Sequence, residues 1–435
     1  MQSLIIRLRS FFNTITGSIA FYPTFYAIIA ILFAIIMKVA EGYGISKSLQ
    51  ESLPIIVIND IDTARNILTT LIAGGISMLV FSFSMVMLLL SQAAANYSPR
   101  VLPNLISNKR HQYILGSFLA TILYNIITII GIEPTGDNYQ LPGFSVLLGI
   151  FSTIVALAAF VYFIHSISTS IQINTILENI YNKSSKRLQV LIKQQTIQDQ
   201  FPETNQWYTY FTNRSGTIQN ISVEGLKKSC ETCKTRFEML ITKGKYILEG
   251  EALFKSEVEL NNRQQTEVYK NFNYSESELV SDNYTLGFKQ ITEIGIKAMS
   301  PGINDPGTAI DTIDYLTDLV RLRMLKKDHN IVLNEDKEVL IKLNTTKFED
   351  LIYDIFASYR KYCKEDLSVM SKLLQLFSLC MGREACQQSY YTALYLQAKL
   401  LVHDAQESIS NSHDIDRLKA QFESIETQYH QLSSN

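Results

Sequence analysis

The chain has 435 residues, with 39 Lys and Arg against 41 Asp and Glu and a hydrophobic content of 47%. That average conceals a division: residues 1–170 hold 14 charges, 8 basic and 6 acidic, about 8% of the stretch, while the other 66 charges make up about 25% of the remainder. A single soluble globule and a fully disordered chain are excluded on that ground, and so is a strong nucleic-acid binder, because no basic domain is present to neutralise phosphates.

In chain order, a short juxtamembrane segment, 1–18, precedes a charge-poor block. Stretches 10–37, 66–99, 111–132 and 138–177 contain no Asp, Glu, Lys or Arg. Crossing a hydrocarbon layer of about 30 Å takes about 20 apolar residues, and each stretch supplies them. The reading is a four-span transmembrane domain over 19–172, with spans near 19–40, 67–92, 113–132 and 144–166. Core helices of a large soluble protein are the alternative, and four such runs in one block speak against it. Arg7 and Arg9 precede the first span as in a signal peptide, but its apolar run is long and no cleavage site follows, so it reads as retained. Basic residues near the N-terminus, in the second connection (Arg100, Lys109, Arg110) and after the fourth span place both termini in the cytoplasm. Lys38, Lys47 and Arg65 in the first connection run against that orientation.

The second span carries a 4–3 series: Thr70, Gly74, Ser77, Phe81, Ser84, Leu88, Ser91 and Ala95 share one stripe, mostly of small residues. Small residues allow close helix packing in lipid. Their hydroxyls equally suit a pore wall. Arg100, in the segment closed off by Pro99 and Pro103, suits a lipid phosphate or a structural staple. In the third span Ser117, Thr121, Asn125 and Thr128 share a face, and Asn125 must find a partner inside the bundle. No span core contains a formal charge, which argues against a proton-coupled carrier with a midplane carboxylate and agrees with a passive channel. His165, near the cytoplasmic end of the fourth span, suits gating or binding, because histidine is the side-chain type that can change charge near neutral pH; an ordinary interfacial histidine is the plainer reading.

The polar part begins with a linking helix over 173–204, broken by Phe201 and Pro202. Residues 205–270 alternate as short strands around 215–223, 236–241 and 246–254, with Gly244 and Gly250 at turns, which predicts a small β-barrel or sandwich. Cys230 and Cys233 have metal or redox spacing, but no second pair or nearby histidine completes a four-ligand zinc site. The five cysteines, Cys230, Cys233, Cys363, Cys380 and Cys386, form no disulfide framework and fit a reducing compartment. Residues 271–435 read as a cytoplasmic helical domain. Within it, Ser300, Asn304 and Asp305 belong to a corner where Asp305 and Pro306 suit N-cap and N1 of a new helix. A site for an anion or partner at that helix N-terminus is the functional alternative, in competition with Asp305 itself.

Several of these passages together resemble a bacterial family of predicted inner-membrane proteins of unknown function (domain of unknown function twenty-two fifty-four). They are DTAR at 62–65, FS at 83–84, YSPRVL at 97–102, LGSF at 115–118, FIH at 163–165, IQ at 171–172 and, most specifically, SPGINDPGTA at 300–309. The family often has two adjacent histidines where this chain has His165 and Ser166. The resemblance implies four spans and a cytoplasmic region, and it supplies no activity.

No phosphate-binding loop, dinucleotide fingerprint, zinc-protease or nucleophile-elbow motif occurs, so no catalytic residue, metal or cofactor is assigned. The expected function is a homo-oligomeric channel in the inner membrane, passing a small ion or solute, lined by the second-span stripe and gated by the cytoplasmic domain. Symmetric assembly is required because four uncharged spans rarely enclose a pore alone. The alternative is a non-conducting membrane adaptor or sensor whose soluble part binds a partner or ligand. An enzyme would instead show a deep pocket with titratable groups converging around Asn304 and Asp305.

Overall fold

The computed structural model describes residues 20–46, 58, 60–96, 109–132, 141–170, 172–195, 200–274, 280, 282–334 and 336–433. The chain divides into two units, Met1–Gln172 and Ile173–Asn435.

The first unit consists of α1 (Phe21–Gly42), α2 (Ile61–Asn96), α3 (Lys109–Ile130) and α4 (Gly143–Ser170). All four are long and apolar enough to cross a bilayer. Half of the apolar stretch of α3 is buried, against 11% for α2, so α3 is the central helix. It packs on α1, α2 and α4, and α2 and α4 also meet. Outward side chains such as Ile28, Leu32, Ile36, Val80 and Phe151 stay exposed on this unit, the surface that a lipid environment requires. Asp60 caps α2, its carboxylate accepting from the Thr63 backbone N–H (2.7 Å) and hydroxyl (2.5 Å).

The second unit begins with α5 (Ile173–Lys193). Helix α5 stops short of the expected 204, and it is more than a linker. Its stripe of Ile176, Leu177, Ile180 and Leu188 is buried where α5 packs on α8 (Tyr284–Ala298) and α9 (Pro306–Met324).

Strand β1 (Tyr208–Phe211) is not among those expected; the strands expected at 215–223 and 236–241 are β2 (Gly216–Ile221) and β3 (Phe237–Met239), and the one expected at 246–254 divides into β4 (Tyr246–Ile247) and β5 (Ala252–Ser256). Helices α6 (Val223–Cys233) and α7 (Asn262–Tyr269) and strand β6 (Phe272–Tyr274) accompany them. The stretch 271–435, read as mostly helical, contributes β6 and two further strands, β7 (His329–Leu333) and β8 (Val339–Asn344). They extend the five-stranded sheet β1-β5-β3-β8-β7, in which β8 runs parallel to β3 with Ile341 opposite Phe237. The second sheet is β4-β2-β6. One core unites them, including Ile218, Phe237, Phe254 and Ile341, all fully buried. Strands this short hold only through pairing with distant chain, which local patterning does not reveal.

The remaining helices are α10 (Phe348–Cys363), α11 (Leu367–Met381), α12 (Ser389–Ser408) and α13 (Ser412–Ser433). Gly295 permits the close fit of α8: a Cβ there would fall 2.3 Å from the Tyr359 hydroxyl and 2.4 Å from that of Thr312.

Candidate functional site

On α2, successive residues turn by about 100°, so positions 70, 77 and 84 lie about 200° from 68, 75 and 82. The structure buries the second set: Leu68 and Ser82 are fully buried, and Gly75 faces Ile122 so closely that a Cβ would stand 2.8 Å from it. The predicted stripe is therefore on the opposite side. Gly74, Ser77, Ser84 and Ser91 are all exposed, and nothing lies within 4 Å of a Cβ built on Gly74. The Ser77 and Ser84 hydroxyls donate to the Ala73 and Val80 carbonyls of their own helix, each at 2.9 Å. Among the described residues the small members of the stripe are thus left uncovered, while Phe81 of the same stripe meets Phe160 of α4 edge-on, with centroids 5.9 Å apart.

The face predicted on α3 divides. Asn125 and Thr128 are buried, whereas Ser117 and Thr121 line a cavity of about 400 Å³ with Tyr26 of α1 and Phe151 and Val155 of α4. Asn125 donates to the Thr153 hydroxyl of α4 (3.3 Å), and its amide oxygen, without a hydrogen-bond partner among the described residues, sits where a Cβ on Gly149 would approach to 2.3 Å. Gly149 is what allows a polar side chain to bridge α3 and α4.

A polar cluster that sequence reading left outside the spans lies at the start of α4. Helix α1 runs on to Gly42, which brings Glu41 into the bundle, 7% exposed. Its carboxylate accepts from the backbone N–H (2.8 Å) and hydroxyl (2.9 Å) of Ser145, and from the Ser46 hydroxyl. Ser46 in turn accepts from the Phe144 N–H at 2.9 Å, and Tyr124 donates to the Ser145 carbonyl at 3.1 Å. An anion from another helix thus satisfies the orphan amides and positive end of α4. The available signal was a carboxylate one residue beyond an apolar run, within reach of the next helix start.

His165 is exposed on α4, while its neighbour Ser166 is buried, with its hydroxyl 3.4 Å from Nε2 of His111. His111 stands edge-on to Phe163 with ring centroids 5.7 Å apart. The histidine that faces the interior is therefore His111, on the third span. Arg100, with the 97–102 motif, lies outside the described residues.

In the second unit the 300–309 motif forms a turn between α8 and α9. The Ser300 carbonyl accepts from the Ile303 (3.0 Å) and Asn304 (2.9 Å) N–H groups, and the Asp305 N–H returns to Ala298 at 2.8 Å. Asn304 takes the left-handed conformation, φ 49°. The Asp305 carboxylate accepts from the Thr308 N–H (3.1 Å) and hydroxyl (2.6 Å), and these bonds hold it below the usual carboxylate range. Asn304 and Asp305 are exposed, and Ser300 is half-buried.

The most strongly buried charges lie elsewhere in this unit. Arg323, fully buried, pairs with Asp328 and donates to the Tyr284 hydroxyl (3.0 Å), the Lys326 carbonyl (2.6 Å) and the Thr346 carbonyl (2.9 Å). Asp328 also accepts from the Tyr390 hydroxyl (2.8 Å) and the Phe348 N–H (3.0 Å). The cluster joins α8, α9, the β7–β8 hairpin, α10 and α12. Lys326, 3% exposed, donates to the Lys327 carbonyl and the Thr345 hydroxyl; burial, reinforced by Arg323, pushes its pKa down to about 7. Asp328 keeps a partly exposed side chain while Arg323 and Lys326 are buried, and the chemistry these groups display is that of a structural joint.

Burial pushes the Cys230 thiol up to about 12, opposite to what thiolate chemistry needs. Among the described residues no three His, Cys, Asp or Glu side chains come together as metal ligands.

A family described as "Predicted membrane protein (DUF2254)" matches residues 16–378. Uncharacterized proteins of Mycobacterium tuberculosis and Mycobacterium bovis are each 22% identical, over 95% of this chain and 81% of the relative. No solved structure matches.

Proposed function

We propose, given that the chain belongs to the DUF2254 family of predicted membrane proteins, that it is a homo-oligomeric channel of the inner membrane. In this reading copies meet around the α2 stripe, the second unit gates them, and both termini face the cytoplasm. The observation that supports it is the exposure of Gly74, Ser77, Ser84 and Ser91 on α2 among the described residues. A row of small hydroxyl-bearing residues facing outward is what a lumen shared between copies would need. The lone pairs of Ser77 and Ser84 remain free to face an ion, since each hydroxyl proton is already donated to its own helix.

A second reading has the stripe pack copies together without a lumen, the spans acting as the anchor of an adaptor. The internal satisfaction of those hydroxyls favours it, because helix contacts in lipid need only small size.

The deciding experiment is ion flux through the purified protein in liposomes, across salts, voltages and membrane tensions, with Ser84→Trp as the variant. Flux in the wild type that falls at least tenfold in the variant supports the channel. An intact oligomer without flux sinks it and leaves the adaptor, and flux indifferent to Ser84→Trp sinks the assignment of this face.

A further inference from the structure

We propose that a trough on the second unit, formed by α10, α12 and α13, seats a basic amphipathic helix of a partner protein. This goes beyond the channel reading and stands independently of it. The trough has a volume of about 1040 Å³. Helix α12 is its floor; α10 and α13 are the walls, and both pack on α12. Each wall is fastened. Arg360 of α10 bridges to Asp404 of α12 at 3.3 Å. Tyr395 of α12 donates to Glu426 of α13 at 2.7 Å and stacks on Tyr429 with centroids 4.4 Å apart.

Three observations identify the occupant. First, the lining is apolar at the bottom: Leu396 is 45% exposed, Leu400 36% and, on the α10 wall, Tyr353 53%. Such side chains lose free energy to water unless covered. Second, the rim is acidic. Glu349, Asp350, Asp354, Glu423 and Glu426 line it against Lys399 and Lys419, and Lys419 is already 4.0 Å from Asp416. The uncompensated charge calls for a cationic partner. Third, Gln397 lines the trough at 6% exposure, and its amide oxygen has no hydrogen-bond partner among the described residues. A buried acceptor left open is costly and marks a place where a donor is due.

Length selects a helix over a small organic cation. The lining residues of α12 run from Ala393 to Gln406, which at 1.5 Å per residue is about 20 Å, or three to four turns. A fourth helix laid between α10 and α13 would place an apolar stripe on Leu396 and Leu400 and its basic flanks against the carboxylates, the helix-in-groove mode of recognition.

The test uses the full chain in phosphatidylcholine nanodiscs. The probe is a fluorescein-labelled 18-residue helical peptide of Leu and Lys, with empty nanodiscs as the reference for lipid binding. Expected is a saturable rise in anisotropy above that reference. It should weaken at least tenfold in the exposed charge-reversal pair Asp350→Lys with Glu423→Lys, and likewise in Leu400→Glu. A photo-reactive leucine in the peptide should crosslink to α12. The proposal is overturned if the charge-reversed chain binds as tightly as wild type, or if a Leu/Glu peptide or a sequence-scrambled Leu/Lys peptide binds equally well. Self-association that Leu400→Glu abolishes would also overturn it, by making a second copy the occupant.

Discussion

Removing the carboxylate of Asp328 is the sharpest probe of the second unit. Asp328→Ala strips Arg323 of its counter-ion and leaves the Phe348 N–H without its acceptor, while the Tyr390 hydroxyl keeps the Lys326 carbonyl at 3.0 Å. Taking one partner from a buried ion pair costs about 3–5 kcal/mol, because the other charge stays behind uncompensated. Two features place this case at the lower end. Arg323 retains three neutral acceptors, and the Asp328 side chain is 23% exposed, so water can partly replace it. The expected loss is about 3 kcal/mol, which for a unit of this size lowers the melting temperature by about 6–12 °C. Trp207 is the only tryptophan and lies against Phe201 within this unit, the rings tilted with centroids 5.5 Å apart, so its emission follows the second unit alone in detergent-solubilised full-length protein. Arg323→Met should cost less than Asp328→Ala, since it leaves a partly solvated carboxylate that still accepts from Tyr390 and Phe348. A shift below about 2 °C for Asp328→Ala, or a larger loss for Arg323→Met, would refute the assignment of an uncompensated buried charge.

Two further outcomes are expected. Lys326 holds its proton less tightly when folded, near pH 7, than when unfolded, near 10.5, so between those values the unfolded chain binds more protons and stability rises with pH. The melting temperature of the second unit should therefore climb from pH 7 to 9, and Lys326→Met should flatten that climb and raise the value at pH 7; parallel pH curves would contradict the placement. Lys243, pushed down to about 8 mainly by burial, adds a smaller rise in the same direction, so the flattening is partial. In the first unit, Gly149→Ala forces a Cβ onto the Asn125 amide oxygen and should destabilise the solubilised protein, and Asn125→Ala in the same chain should restore most of the loss by making room. Additive effects of the two substitutions would show that α3 and α4 do not meet there.

The four spans were legible because a run of about 20 uncharged residues has few other uses in a folded chain. The corner at 300–309 was legible for a local reason as well: Asp305 and Pro306 are a helix start whatever surrounds them. The short strands β2 to β5 announced themselves by alternation and by Gly244 and Gly250 at turns. The hairpin β7–β8 did not, because its pairing partner, β3, lies about a hundred residues earlier, and pairing over that distance leaves no mark on local composition. The place of Glu41, one residue beyond the first expected span, was not legible for the same reason, since what retains it inside the bundle is the start of α4.

The amino-acid sequence by itself determined which parts of this protein meet lipid and which meet water, because that depends on composition over a helix length. It also determined that Gly74, Ser77, Ser84 and Ser91 share one side of α2, because that depends only on 3.6 residues per turn. Which side of α2 the chain would cover was decided by tertiary structure: Leu68, Gly75 and Ser82 fit against the central helices, and the small-hydroxyl stripe, about 200° away, was left facing out. Tertiary structure alone also assembled Arg323 with Asp328, Tyr284 and Tyr390, and opened the acidic trough over α12. Both depend on side chains brought together from separate helices, at distances in the chain where sequence periodicity carries no information.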